Sequence, residues 1–176
     1  MKDIKSDKDT ENYIFNITGS NPSIKSFNSE FTGVAQNNYG IPYLIVNPKQ
    51  DISYANGLEF TNLEKKELRT NIRKFIIYHE YGHLYEFIKD YVETGRATIT
   101  DTMSDRTQEV IDSEGKTNAY AIDNMYRKDR RELLKNSKPD TEKHLSKRYY
   151  DGLVKHSKTY KKTLDSIEKE KSHFNY

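Results

Sequence analysis

The segment "KFIIYHEYGHLYEF", Lys74 to Phe87, is an apolar, aromatic run in a polar chain, and it carries His79, Glu80 and His83. Residues four apart on a helix stand one above another on the same face. Both imidazoles can therefore reach one ion. Zinc accepts neutral imidazole nitrogens at ~2.0–2.1 Å, and a catalytic site uses three protein ligands and leaves one position for water. Glu80, next to the first ligand, is placed to hold that water, take its proton as it attacks a peptide carbonyl, and return a proton to the leaving amine. A chain of this composition, with 5 histidines, would show H-E-x-x-H by chance in roughly one per cent of cases. The alternative is that His79 and His83 are core histidines bonded to Tyr78, Tyr81 or Tyr85.

Working outward, "TNLE" from Thr61 has the form of a capping box. Leu68, Ile72, Phe75, Ile76, His79, His83, Leu84 and Phe87 recur at helical spacing. This predicts one long helix ending near Gly95. Gly82 costs about 1 kcal/mol of helix propensity relative to Ala, so a close approach is expected there, by a strand edge or a substrate backbone.

No third histidine follows at the spacing of the extended motif, because Glu86 and Lys89 occupy the positions that would need Gly and His. With no cysteine in the chain, the third ligand is expected to be a carboxylate. Glu114 is the first choice: with Asn118, Ala121 and Met125 it forms one face of a second helix starting near Asp112 or Ser113 and running through "NAYAIDNMYRKDRRELLK". Glu109 is the rival. A first-turn glutamate favouring the helix dipole is the ordinary explanation for such a residue. Tyr120, His173 and Tyr176 are candidates for stabilising an oxyanion or contacting substrate.

The rest of the chain divides by composition. Residues 1–10 are charged and expected to be flexible, and residues 11–176 to form one domain, lysine-rich and helical from about 140. Short strands are expected at "YIFNI", "EFTGVAQ" and "IPYLIVNP" in the first third. "NSKPD" should break the second helix, and a third should follow from Asp140 or Thr141. Mean hydropathy is -0.99 with 32% charged residues, so the core must be small; 14 tyrosines enlarge it with hydroxyl-bearing surface. A net charge of +2 is too near neutral to argue for nucleic acid as the partner, and none is expected. No apolar run is long enough to span a membrane, and the N-terminus lacks the pattern of a signal peptide. The expected location is cytoplasmic, or secreted or injected by a signal-independent route.

"HEYGH" followed by "EGKTNAYA" resembles the zincin metallopeptidases whose third ligand is a glutamate on a following helix. The form E-x-x-[AT]-N-x-[FY]-A, on Glu114, Thr117, Asn118, Tyr120 and Ala121, is similar to the ImmA/IrrE-type peptidases. "VNP", "HEYGHLYEF" and "AYAIDNMYR" look like the metallopeptidase toxin domains of Rhs-type polymorphic toxins and injected bacterial effectors. Those resemblances imply an α+β, minimal zincin-like fold with a small N-terminal β-sheet, a long H-E-x-x-H helix and a following ligand-bearing helix. They imply a Zn2+-dependent endopeptidase, with His79 and His83 as ligands and Glu80 as acid/base, cleaving a target-cell protein. An immunity or delivery partner would accompany a toxin. An intracellular ImmA-like regulatory peptidase is the nearest alternative. A non-enzymatic basic helical binding module, centred on "KHLSKRYYDGLVKHSKTYKK" and carrying a structural metal, is the other.

Overall fold

The computed structural model describes residues 32–36, 42–47, 49–95 and 108–173. The strand expected at "YIFNI", the N-terminal ten residues and Tyr176 lie outside them. The described residues form a mixed, mostly helical structure with five helices and two small antiparallel sheets.

β1 (Gly33–Gln36) and β2 (Pro42–Ile45) pair antiparallel, with Val34 opposite Leu44. Both strands pack on α1 (Lys66–Thr94), where Leu44 and Leu84 form a small apolar cluster edged by Val34, Val46 and Tyr81. These two strands match expectation; the second sheet does not. β3 (Tyr54–Ala55) and β4 (Leu58–Phe60) are joined by Asn56-Gly57, with φ of 51° and 88°. Positive φ at both central residues is what a tight hairpin turn requires, and Asn-Gly supplies it. β4 also pairs with β5 (Ser137–Pro139), so the segment "NSKPD", expected only to break a helix, instead closes a three-stranded sheet.

Several helix boundaries differ from the sequence pattern, among them the start of the second helix, which comes at Gln108 and not near Asp112 or Ser113. α1 begins at Lys66, not Thr61, because Thr61 donates its N–H to Asn136 and extends the sheet, while Asn62 sits in the left-handed region at φ 59°. Its end is as expected, with Gly95 at φ 73° just beyond Thr94. The second helix is two: α2 (Gln108–Asn124) and α3 (Arg127–Lys135), separated by an extended Tyr126 at ψ 144°. The break turns α3 back onto α1, where Lys74 and Asp129 pair at 2.9 Å with Lys74 buried. The third helix is likewise two, α4 (His144–His156) and α5 (Lys158–His173). Ser157 separates them in extended conformation, and its Oγ accepts the N–H of Tyr160 as an N-cap.

The main core gathers Leu58 and Phe60 from the sheet, Leu68, Ile72 and Phe75 from α1, Ile122 from α2, Leu133 from α3, Leu153 from α4 and Tyr160 from α5. α2 is its central member, packed on α1, α4 and α5. Its approach to α4 rests on Gly115 against Gly152: a Cβ on Gly115 would fall 2.4 Å from the Gly152 Cα. Those two positions admit no side chain without moving a helix.

Candidate metal centre

α1 contributes His79 and His83, one turn apart, and α2 crosses over them with Glu114, Thr117 and Asn118 on its facing side. The approach is allowed by Gly82, whose absent Cβ would stand 2.8 Å from Thr117 Cγ2 and 3.3 Å from Tyr120 Cδ1. The residue that comes close at Gly82 is therefore a helix side chain, neither a strand edge nor a substrate backbone.

Glu114 is buried on the seventh residue of α2, and its two carboxylate oxygens reach one imidazole each. Oε2 is 3.1 Å from His79 Nε2, and Oε1 is 3.1 Å from His83 Nε2. The two Nε2 atoms are themselves 3.1 Å apart. Three metal-ligating residues thus face one point, a ligand atom from each lying within 4.8 Å of the others, and this is the one such group of His, Asp or Glu found among the described residues.

The outer nitrogens are engaged separately. Asn118 donates its Nδ2 to the carbonyl of Asn56 at 3.0 Å, which turns its Oδ1 toward His79 Nδ1 at 2.7 Å. An amide oxygen can only accept, so His79 carries its proton on Nδ1 and presents the Nε2 lone pair to the centre. Thr117 donates its hydroxyl to Ser113 O at 2.9 Å, leaving an oxygen lone pair 3.5 Å from His83 Nδ1. Both imidazoles are oriented the same way, by second partners of the kind that accompany metal-binding histidines. Tyr78, Tyr81 and Tyr85, the alternative partners, do not take these roles.

Glu80 stands beside the cluster, with Oε1 4.0 Å from His79 Nε2 and its side chain 15% exposed. Burial pushes its carboxyl above the ordinary value, only partly offset by His79 and His83. Burial acts the same way on Glu114, yet the two imidazoles hold that carboxyl well below the usual range. His79 would be pushed down by burial, but Glu114, Glu80 and Asn118 together raise it. The two carboxylates therefore have opposite leanings: Glu114 toward the charged form, Glu80 toward accepting a proton.

The donor set could hold a divalent metal ion, zinc among those it suits. Two lone-pair nitrogens and a carboxylate lie 3.1 Å apart, against about 3.3–3.4 Å between ligands of a tetrahedral ion with ~2.0–2.1 Å bonds. Protons on the imidazoles or a metal ion would each offset the repulsion between two Nε2 lone pairs and the carboxylate.

The remaining candidates lie apart from this point. Glu109 is exposed near the start of α2, five residues before Glu114 and rotated off its face. Tyr120 is half-buried beside α1, its ring 6.2 Å from that of Tyr81. His173 is exposed at the end of α5 and is not among the converging residues. One participant is absent from the sequence reading altogether: Asn56, whose carbonyl fixes Asn118. Its signal was the Asn-Gly pair between short apolar runs. Asn118 itself was legible as a neighbour of Glu114 at i+4, though not as the partner of His79.

Comparison of the chain with protein-family models, with curated proteins and with solved structures returns no match.

Proposed function

We propose that this protein is a zinc-dependent endopeptidase of minimal zincin type, acting as a toxin or injected effector on a protein of a target cell. One observation carries the enzymatic reading: His79, His83 and Glu114 converge within 3.1 Å of one another, with Glu80 4.0 Å from His79 Nε2. A closed structural zinc site would need a fourth protein ligand, and the group among the described residues has three. The effector role rests on the resemblance of the "HEYGHLYEF" and "AYAIDNMYR" strings to toxin domains.

His79, His83 and Glu114 would hold the ion. When bound, zinc supplies Lewis acidity and a water acidic enough to ionise near neutral pH. Glu80 performs the proton work. Its burial favours the protonated form, so it accepts the proton released as water adds to the scissile carbonyl and then delivers it to the departing amine nitrogen. Asn118 and Thr117 hold the imidazoles in the tautomer that keeps Nε2 free.

The test combines metal analysis with a Glu80→Gln variant. The expected result is one zinc per chain in both proteins, with peptide hydrolysis falling about 10²–10⁴-fold in the variant, the usual contribution of a general acid/base. Absence of bound zinc in wild-type protein after reconstitution would sink the reading. For the effector role, expression in a susceptible cell should arrest growth with the wild type and not with Glu80→Gln; equal toxicity of the two would separate toxicity from hydrolysis.

A further inference from the structure

A second polar junction lies away from the metal centre, between α3 and α5, which pack together. On α3, Arg127, Arg130 and Arg131 are spaced to share one face. On α5, Thr159, Lys162 and Ser166 are spaced in the same way. The two faces line a common cavity of about 230 Å³. The residues that line it carry guanidinium, ammonium and hydroxyl groups, and none of them is a carboxylate or an aromatic ring.

Three guanidinium groups and an ammonium brought onto one cavity repel each other unless an anion joins them. Among the described residues one carboxylate answers them, in an ion pair between part-buried Arg131 and exposed Glu170. Arg130 has none among the described residues: it lines the cavity, while its Nε–H, turned away from solvent, meets no hydrogen-bond acceptor. A buried, unpaired donor on a charged group is costly. The fork of N–H groups on a guanidinium matches the oxygens of a phosphate. The N-terminus of α3, nine residues long, begins at Arg127 without a side-chain cap, and the helix dipole adds a partial positive charge there.

We propose that the groove between α3 and α5 is a binding site for a compact, soluble polyphosphate, with Arg130 as its central donor and Arg127, Arg131 and Lys162 around it. A multiply charged phosphate offsets the cluster, and the hydroxyls of Thr159 and Ser166 complete its polar shell. The proposal is independent of the metal centre and of the peptidase reading.

Calorimetric titration of the full chain with tripolyphosphate, and separately with orthophosphate, tests it at ~0.1 M salt. One site per chain is expected, with tripolyphosphate bound more tightly. Arg130→Gln and Lys162→Gln should each weaken binding about tenfold or more, whereas Lys161→Gln, outside the lining, should change it less than twofold. If Arg130→Gln fails to fold, Lys162→Gln alone carries the comparison. The titration repeated on His83→Ala protein should give the same affinity; loss of binding there would assign the heat to zinc chelation and overturn the proposal. It is equally overturned by an absence of saturable binding at millimolar tripolyphosphate, by equal weakening in Lys161→Gln, or by retention only on vesicles containing a phosphorylated inositol lipid.

Discussion

The α1–α2 and α3–α5 junctions are both polar contacts between helices, and they fail to balance in opposite directions. At the first, two imidazoles face two carboxylates, His79 and Glu114 are buried, and each ring nitrogen has a partner. At the second, three arginines and a lysine face each other across an open cavity with one glutamate at the edge. The same i, i+3, i+4 spacing builds both. The difference lies in the groups each gathers: lone pairs and carboxylates at the first, guanidinium and ammonium groups at the second. The first is also rigidly supported, through a chain running from the Asn56 carbonyl to Asn118 and on to His79.

The sharpest way to break the comparison is to offer the first junction a metal ion. Zinc at a hundred times its dissociation constant should stabilise the fold by about 2.7 kcal/mol. For a chain of this size that is a rise of about 5–10 °C in Tm. A thermal melt with and without chelator reads it directly. His83→Ala should abolish the rise, and a shift that survives the substitution would place the ion elsewhere.

Next in size is the turn that supports the centre. Gly57 has φ of 88°, and a Cβ there would lie 2.2 Å from Ser146 O on α4. Gly57→Ala should cost about 1–3 kcal/mol by left-handed strain and overpacking. Because the Asn56 carbonyl moves with the turn, zinc affinity should fall as well. Denaturant unfolding and metal titration of the same variant separate the two effects. Lost stability with unchanged affinity would show that Asn118 is held without Asn56.

How much of this could be read beforehand follows from the kind of signal each part leaves. His79, Glu80 and His83 form a local pattern on one helix, so five residues of sequence suffice. Glu114 is farther along but sits on an amphipathic helix with Asn118 one turn on, and the periodicity marks the face. The breaks at Tyr126 and Ser157 leave no such mark. Both fall within helix-compatible sequence and are set by tertiary demands: the Lys74–Asp129 pair that needs α3 folded back, and the packing of α5 on α2. The three-stranded sheet joins Phe60 to Ser137, residues too far apart in sequence for any window to connect. Its hairpin was nonetheless written in Asn56-Gly57, a two-residue turn obscured by the brevity of the flanking strands.

Asn118→Leu tests whether orientation, apart from ligation, distinguishes the two junctions. The substitution keeps bulk near His79 but removes the acceptor from Nδ1, freeing the ring to change tautomer. Zinc affinity should fall about 10–100-fold, the usual cost of losing an outer partner of a metal-binding histidine. Asn118→Asp retains an acceptor and should recover most of it. If Leu and Asp weaken binding equally, the amide acts through packing or its bond to Asn56 instead.

The smallest effect belongs to the open junction. In the absence of any anion, Lys162→Gln removes one of four like charges from an exposed face, where single-charge effects stay within about 0.5 kcal/mol. The sign is the informative part. Stability should rise slightly at low salt, because repulsion with Arg127, Arg130 and Arg131 is relieved, and the gain should vanish above ~0.5 M salt as screening shortens the Debye length. A buried charge placed as Glu114 is would respond to salt far less. Urea melts of the wild type and Lys162→Gln at two salt concentrations therefore measure how far the α3–α5 cluster is frustrated by its own charge. A variant less stable than the wild type at low salt would mean that Lys162 is already paired within the fold.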